Sequence, residues 1–489
     1  MPNFFYIVIL FLLTISFPSS ILADSRLSGL QDKLSRILAD SAIDQAIVAL
    51  EVRDVSNQKT IFSRNARKSM VPASILKLVT TGVALELLDS SFIFSTRIGY
   101  RGFIDSSGLL CGNVLVVGGG DPTLGSQYFD KSDTRTTFLR DWVSLIKSSG
   151  IRSIDGSVEV VTNHFDPWPV IDTWTYEDLG NYYGAGVFSV ALFDNSVDLY
   201  FSSPLAVGKP VIFQRAWPSL QGIELNNQIV SGQGGDNAYI FQSPTSRMMI
   251  ARGTIPAGKN NFVVKASMAD PPVTLANLLA SMLDSSGIAQ TTSPFVSHTL
   301  FNGSDVKDLF VHQSPTLARI VEQTNFYSVN LFAEHLLREV GLLEGGTGST
   351  ASGLVAIHKF CVSKGMNTSG ISIVDGCGLS RFNLVTAAFM VDFLVYFKNR
   401  SPYSDIFYNS LPLAGKDGTM EVYGRKSSIA GKVRAKTGSM SRIKNLAGYI
   451  ETRSGKILAF AFIANNQCCS SSKVKLIQES ILKVLYENY

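Results

Sequence analysis

The feature that most limits how this chain can fold is a change of texture that begins near Phe92 and ends at Asp270-Pro271-Pro272. Inside that stretch the sequence reads as short β-like segments broken by glycine, such as Asn113 to Val117, Val158 to Thr162, Val197 to Phe201, Pro210 to Gln214 and Asn261 to Lys265. Outside it, helical and strand patterns mix. Leu27 to Leu38 predicts a helix, and Ala46 to Asp54 with Thr60 to Ser63 predicts a hairpin turning at Asn57. Pro72 opens a helix over Ala73 to Leu88 that is apolar around most of its circumference, the mark of a buried central helix. Beyond the stretch, helices are predicted over Leu275 to Leu283, Leu317 to Gln323, Val329 to Val340 and Thr386 to Lys398. The chain then ends as strand (Asn445 to Thr452), strand (Lys456 to Ala464) and helix (Val474 to Glu487). The predicted class is α/β (α+β), an antiparallel sheet flanked by helices and split in sequence by a β-rich insertion. The boundaries read as 24–92 with 271–489 for the split domain and 93–270 for the insertion, with a nested module near 185–265.

Composition narrows the class further. Hydrophobic residues make up 45% of the 489 and charged residues 17%, so the chain can bury full-sized cores and is not disordered. A net charge of +4, without a Lys/Arg stripe interleaved with aromatics, argues against a nucleic-acid partner. Five irregularly spaced cysteines (Cys111, Cys361, Cys377, Cys468, Cys469) and five scattered histidines form no metal-binding pattern. The adjacent Cys468 and Cys469 read as small buried side chains, because a bridge between them would be strained. Phe4 to Phe17 is almost wholly apolar, Pro18-Ser19-Ser20 breaks the run and Ala23 offers a small residue for cleavage. That layout predicts a signal peptide over 1–23 and an exported protein, in the periplasm or cell envelope. The competing reading is an uncleaved anchor, since Phe4 to Ala23 is close to the roughly 20 residues that span a bilayer. Attachment to the membrane surface stays open, although no amphipathic basic helix supports it. Oligomeric state is not readable.

Three short motifs follow in order: Ser74-Ile-Leu-Lys77, Ser328-Val-Asn330 and Lys436-Thr437-Gly438. Ser-x-x-Lys alone carries little, for it recurs at Ser56/Lys59 and Ser144/Lys147 among others. Ser74 is set apart by its place at the start of the buried helix, where free N–H groups and the helix dipole favour a developing oxyanion. The i, i+3 spacing brings Lys77 to the same face, and burial would depress its pKa enough to make it a general base. Ser328 and Asn330 fall at a corner between two helical runs, from which both side chains can aim at a cleft. Taken singly, Ser328 would also serve as an N-cap. Lys436 and Thr437 lie on a β-like stretch suited to holding a substrate carboxylate, and Gly438 would let a ligand backbone approach. The N–H of Ser439 can pair with that of Ser74 as an oxyanion hole.

This ordered set is the signature of penicillin-recognising serine acyltransferases, and further segments sharpen the resemblance. Gly118-Gly-Gly-Asp-Pro-Thr-Leu124, Asp375-Gly-Cys-Gly-Leu-Ser-Arg381 followed by Asn383, and Leu411-Pro-Leu-Ala-Gly-Lys-Asp-Gly-Thr419 resemble segments of the class C low-molecular-mass penicillin-binding proteins, the D-alanyl-D-alanine carboxypeptidases/endopeptidases of the DacB type. Ser74 and Ser328 lie 254 positions apart (328 − 74), which leaves room for that family's large insertion. The resemblance implies a serine β-lactamase/DD-peptidase-like transpeptidase domain without cofactor or metal, acting on peptidoglycan stem peptides and acylated by β-lactam antibiotics. It implies Ser74 as nucleophile, Lys77 as base, Ser328 and Lys436 as proton relay, Lys436 and Thr437 as carboxylate clamp and Asn330 as a hydrogen-bonding partner of the substrate amide. It also implies that Asp121 and Arg381, with Met440 beside them, contact the free end of a diaminopimelate-type side chain. The competing roles are a turn cap for Asp121 and a structural ion pair for Arg381. Cys377 departs from the pattern, where the family usually has serine; a thiol lining the cleft would make activity sensitive to alkylation, whereas a packed one would not.

Two rival functions remain at this level. A serine β-lactamase of class A would need a further glutamate to activate the deacylating water, and no convincing equivalent stands out. A non-catalytic wall-binding protein could keep the fold while losing the chemistry.

Overall fold

The computed structural model describes residues 19–130, 134–220, 222–243, 246–298 and 306–489. Much of the expected signal peptide therefore lies outside the described residues. A helix runs continuously over Ser19–Ile37, through the expected cleavage position. Among the described residues, no helix is long and apolar enough to cross a membrane.

The two ends of the chain build one sheet. Its order is Val433–Met440, Ile443–Glu451, Ile457–Asn465, Ile47–Asp54, Thr60–Arg64, antiparallel throughout. Strand alternation sorts its side chains onto two faces. Val48, Leu50 and Val52 with Leu458, Phe460 and Phe462 meet the helices Ser19–Ile37 and Ser471–Asn488. The opposite face carries Ala49, Ala447, Ala459 and Ala461, small enough for a layer of helices to pack close. That layer holds Lys77–Leu88, Leu317–Tyr327, Asn330–Leu342, Thr350–Ser363 and Ala387–Arg400. Lys77–Leu88 is the central member and is buried along its whole length from Lys77 to Leu85. At Gly82 a Cβ would come within 2.7 Å of the Phe393 and Phe397 rings, so glycine there lets the helix Ala387–Arg400 cross it closely.

The strand-rich stretch builds a separate core. A seven-stranded mixed sheet centres on Ser95–Ile104 and Leu109–Val117, and two three-stranded sheets follow between Ser196 and Ser267. The helix Thr137–Ser148, unexpected in a β-like texture, packs Phe138, Leu139, Trp142 and Ile146 into that core.

The end of the insertion moves relative to the sequence boundary at 270/271. The helix Pro271–Ser285 buries Leu275, Leu279 and Leu283 in the insertion's core, and Lys307–Gln313 pairs with Ser95–Ile104. The chain returns at Ser314 and Leu317, whose N–H groups donate to Phe94 O and Phe92 O. Entry and exit are thus bonded side by side. Cys468 is exposed and Cys469 half-buried, so this pair is not the buried one expected, and all five cysteines are free.

Candidate active site

The turn that carries Ser74 is short and strained. Ser74 lies in the 3-10 turn Ala73–Leu76, just before the helix that starts at Lys77. Ala73 has φ +47°, a left-handed conformation that costs a non-glycine residue about 1 kcal/mol or more. Two elements press on this turn. Gly378, at φ +84°, packs so closely that a Cβ would sit 2.0 Å from Ala73 O. On the other side, Asn445 donates to Val71 O at 2.9 Å and Pro72 O at 2.7 Å, and accepts from Ala464 N at 3.0 Å.

Lys77 is fully buried, with Nζ 2.9 Å from Ser74 Oγ, 2.6 Å from Asn330 Oδ1 and 2.7 Å from Cys377 O. Asn330 is fixed in its orientation, because its Nδ2 donates to Tyr183 O at 2.7 Å and leaves Oδ1 for the lysine. Burial holds the Lys77 ammonium below the usual lysine range, against the pull of Cys377, Asp375 and Glu334.

Ser328 sits at the corner between Leu317–Tyr327 and Asn330–Leu342, with φ +64°. It is not an N-cap; Val329 occupies that position. Its Oγ instead accepts from Lys436 Nζ at 2.8 Å, and the same amine reaches Thr437 O at 2.9 Å. Lys436 is fully buried, and burial, then the nearby Lys77, pushes its ammonium well below the usual range.

Gly438 packs against the turn beneath it: a Cβ there would meet Pro72 O at 2.8 Å and Ser74 N at 3.1 Å, so its bareness makes room for the turn that carries Ser74. The neighbouring Ser439 and Met440 line the cleft, and Lys444, opposite Ser439 in register, donates to Ser439 Oγ at 2.9 Å.

The cleft encloses about 680 Å³ and is lined by Ser74, Ser328 and Asn330 on its floor and by Tyr128, Glu177, Asp178, Tyr182 and Tyr183 on the insertion side. Arg381 lines it too, with Nη1 3.4 Å from Ser441 O. Asp121 does not join it. That residue is buried under the Gly118–Leu124 segment, where Oδ1 accepts from Thr123 N at 2.8 Å and Thr123 Oγ1 at 2.6 Å. It caps a turn, and the expected pairing with Arg381 gives way to a different one. The acidic groups on Arg381's cleft are Glu177, Asp178 and Asp194, none of which carries a motif that singles it out. Cys377 is fully buried and burial pushes its thiol up, so it is no cleft-lining nucleophile.

Comparison with known proteins gives the chain its relatives. A D-alanyl-D-alanine carboxypeptidase of Actinomadura sp. (strain R39) is 29% identical over 469 residues, covering 91% of this chain and 83% of that protein. The D-alanyl-D-alanine carboxypeptidase DacB of Haemophilus influenzae is 24% identical over 462 residues, covering 93% and 91%. The crystal structure of penicillin binding protein 4 (dacB) from Haemophilus influenzae superposes with a TM-score of 0.77 at 21% identity, over 94% of this chain and 98% of that one, and shares its fold. The D-Ala-D-Ala carboxypeptidase 3 (S13) family matches residues 30–487, and with that span the chain belongs to this family of serine carboxypeptidases.

Proposed function

We propose that the chain cleaves the D-Ala-D-Ala end of peptidoglycan stem peptides through an acyl-enzyme on Ser74. One observation carries this. Lys77 Nζ lies within hydrogen-bonding distance of Asn330 Oδ1, Cys377 O and Ser74 Oγ, so that once the amine is neutral, with its two N–H bonds on the first two, its lone pair faces Ser74 Oγ at 2.9 Å. A buried amine so held can remove the hydroxyl proton as Ser74 attacks the carbonyl between the two D-alanines. Ser328 and Lys436, 2.8 Å apart, relay a proton to the leaving amine. Lys436, Thr437 and Ser439 hold the terminal carboxylate, and water then hydrolyses the ester. β-Lactams, which present a similar amide and carboxylate, acylate Ser74 in the same way.

On the insertion side, Glu177 and Asp178 suit an ammonium and Arg381 a carboxylate, the two ends of a diaminopimelate-type side chain. The apolar run and break before Ala23 support export to the periplasm or cell envelope. The packing supports a catalytic unit made of both chain ends around an insertion that continues to about Gln313.

The test is labelling of the purified protein with a fluorescent penicillin beside Ser74→Ala, read by intact mass. A stable one-to-one adduct on the wild type, absent from the variant, is the expected result. Rapid release of the adduct would point to a β-lactamase instead. No adduct on folded wild type would leave a wall-binding protein without the chemistry.

A further inference from the structure

The loop that receives the Lys77 amine is held from behind. Glu334 lies one turn beyond Asn330 on the helix Asn330–Leu342 and is fully buried. Its Oε1 accepts from the N–H groups of Gly376 at 2.8 Å and Cys377 at 2.7 Å. From the opposite side the Thr80 hydroxyl, on the helix that begins with Lys77, donates to Gly376 O at 2.6 Å. The two catalytic helices therefore grip one peptide between them. That peptide leads into the Cys377 carbonyl, the acceptor for Lys77 Nζ.

The same carboxylate is left incomplete. Glu334 Oε2 is buried without a hydrogen-bond partner among the described residues. The Cys377 thiol and an Asp375 oxygen lie within 4.8 Å of the Glu334 carboxylate. Asp375 is fully engaged, by Gly378 N and Asn383 Nδ2 on one oxygen and by Ser380 N and Trp174 Nε1 on the other. The cluster thus works as a clamp on the loop. The charged and titratable groups that face Glu334 are Asp375 and Cys377 on the loop, Lys77 on the nucleophile's helix and Arg338 on its own helix. Burial, then Asp375, pushes the Glu334 carboxyl up to about 7. The neighbouring Cys377 thiol, a weaker donor than a hydroxyl, opposes that rise together with the two N–H groups.

We infer that Glu334 is a positioning residue for Lys77: it fixes the carbonyl that holds the amine, and its charge governs how tightly the amine keeps its proton. This rests on Lys77 being the base for Ser74. An ionised Glu334 favours the ammonium; a neutral one frees the amine. Glu334 does not line the cleft, so it is not the activator of the deacylating water that a class A β-lactamase requires.

The experiment is the pH profile of the acylation rate constant with fluorescent penicillin, for wild type, Glu334→Gln and Cys377→Ser, each with a thermal melt. Glu334→Gln keeps an oxygen for the two N–H groups and removes the charge. Its acid limb should move to lower pH by about one unit, a roughly tenfold gain in free amine at a given pH on the limb. Cys377→Ser supplies a stronger donor to Oε2, stabilises the ionised carboxylate and should move the limb the other way. A purely structural Glu334 would lower the plateau or the melting temperature and leave both limbs where they are; that outcome overturns the inference. Should Glu334→Gln fail to fold, the Cys377→Ser limb decides alone. An absent wild-type adduct sinks the acyl-enzyme reading and this inference together, whereas an adduct with coincident limbs sinks only the role of Glu334.

Discussion

The floor and the insertion-side wall of the cleft are built on different principles. On the floor Lys77 and Lys436 are both fully buried, and each amine is fixed by partners 2.6 to 2.9 Å away. On the wall Glu177 and Tyr182 stand exposed, and Asp178 is half-buried with its carboxylate turned partly to Thr175. Proton transfer needs donor and acceptor held to a fraction of an ångström, which rigid helices supply. Recognition of a long, mobile peptide tolerates looser, solvated groups. The two regions meet where Asn330 Nδ2 donates to Tyr183 O, a backbone atom of the insertion, and behind the Cys377 loop, where Trp174 Nε1 donates to Asp375.

If that division is right, the floor should fail abruptly and the wall gradually. Lys77→Ala removes the proposed base and strands Asn330 Oδ1 and Cys377 O beside it. Acylation by fluorescent penicillin should fall by about 10³-fold or more, within the range of a general-base loss compounded by misplacement. A loss under about tenfold would mean that another group takes the proton, and the contrast between floor and wall would weaken.

That contrast also explains what the sequence could reveal. Ser74 and Lys77 were legible because a spacing of three brings two residues side by side on a helical turn, here the 3-10 turn that leads into the helix. Ser328 and Asn330 were legible as a corner between two periodic segments. Glu334, Thr80 and Asn445 were not, because each sits in an element whose pattern only says buried. Their partners lie far along the chain; Asn445 bonds Val71 374 positions away. Asp121 could be read two ways for a related reason: an Asp in a glycine-rich turn suits a ligand or a cap, and only its burial and the bonds from Thr123 to Oδ1 favour the cap. The expected boundary at Asp270 falls on a helix N-terminus, with Asp270 accepting from Val273 N at 3.0 Å, and that helix packs into the insertion's core. Punctuation that starts a helix reads the same as punctuation that ends a domain. The helix Thr137–Ser148 escaped because strands surround it on both sides.

The wall should yield a smaller and different signature. Replacing Glu177 and Asp178 by Gln and Asn removes anionic groups that are partly solvated, and such pairs contribute at most about 1 kcal/mol each. With a stem peptide carrying a free ammonium, KM should rise about two- to fivefold for each replacement while kcat holds. Acylation by penicillin, which lacks that ammonium, should be unmoved. A matching fall in kcat would show that the wall, too, acts in the transition state.

The effect of Asp121 leaves the chemistry of the cleft alone and appears in stability. Burial raises its carboxyl from 3.8 to about 6, with the Thr123 hydrogen bonds opposing. Between those values the folded chain keeps a proton that the unfolded chain has released. The folded state therefore binds more protons there, and the free energy of unfolding falls as pH rises through that window. The contribution is fully present below about 4. Asp121→Asn keeps an oxygen for Thr123 and has nothing to titrate. Denaturant midpoints taken at pH 4.5 and 7.5 should then drop less on going to the higher pH than in the wild type, with labelling of Ser74 unchanged. Equal drops would mean that Asp121 stays ionised in the folded chain and has a partner. The candidate partner is Arg381, and the carboxylate would then return to the cleft wall from which its burial now separates it.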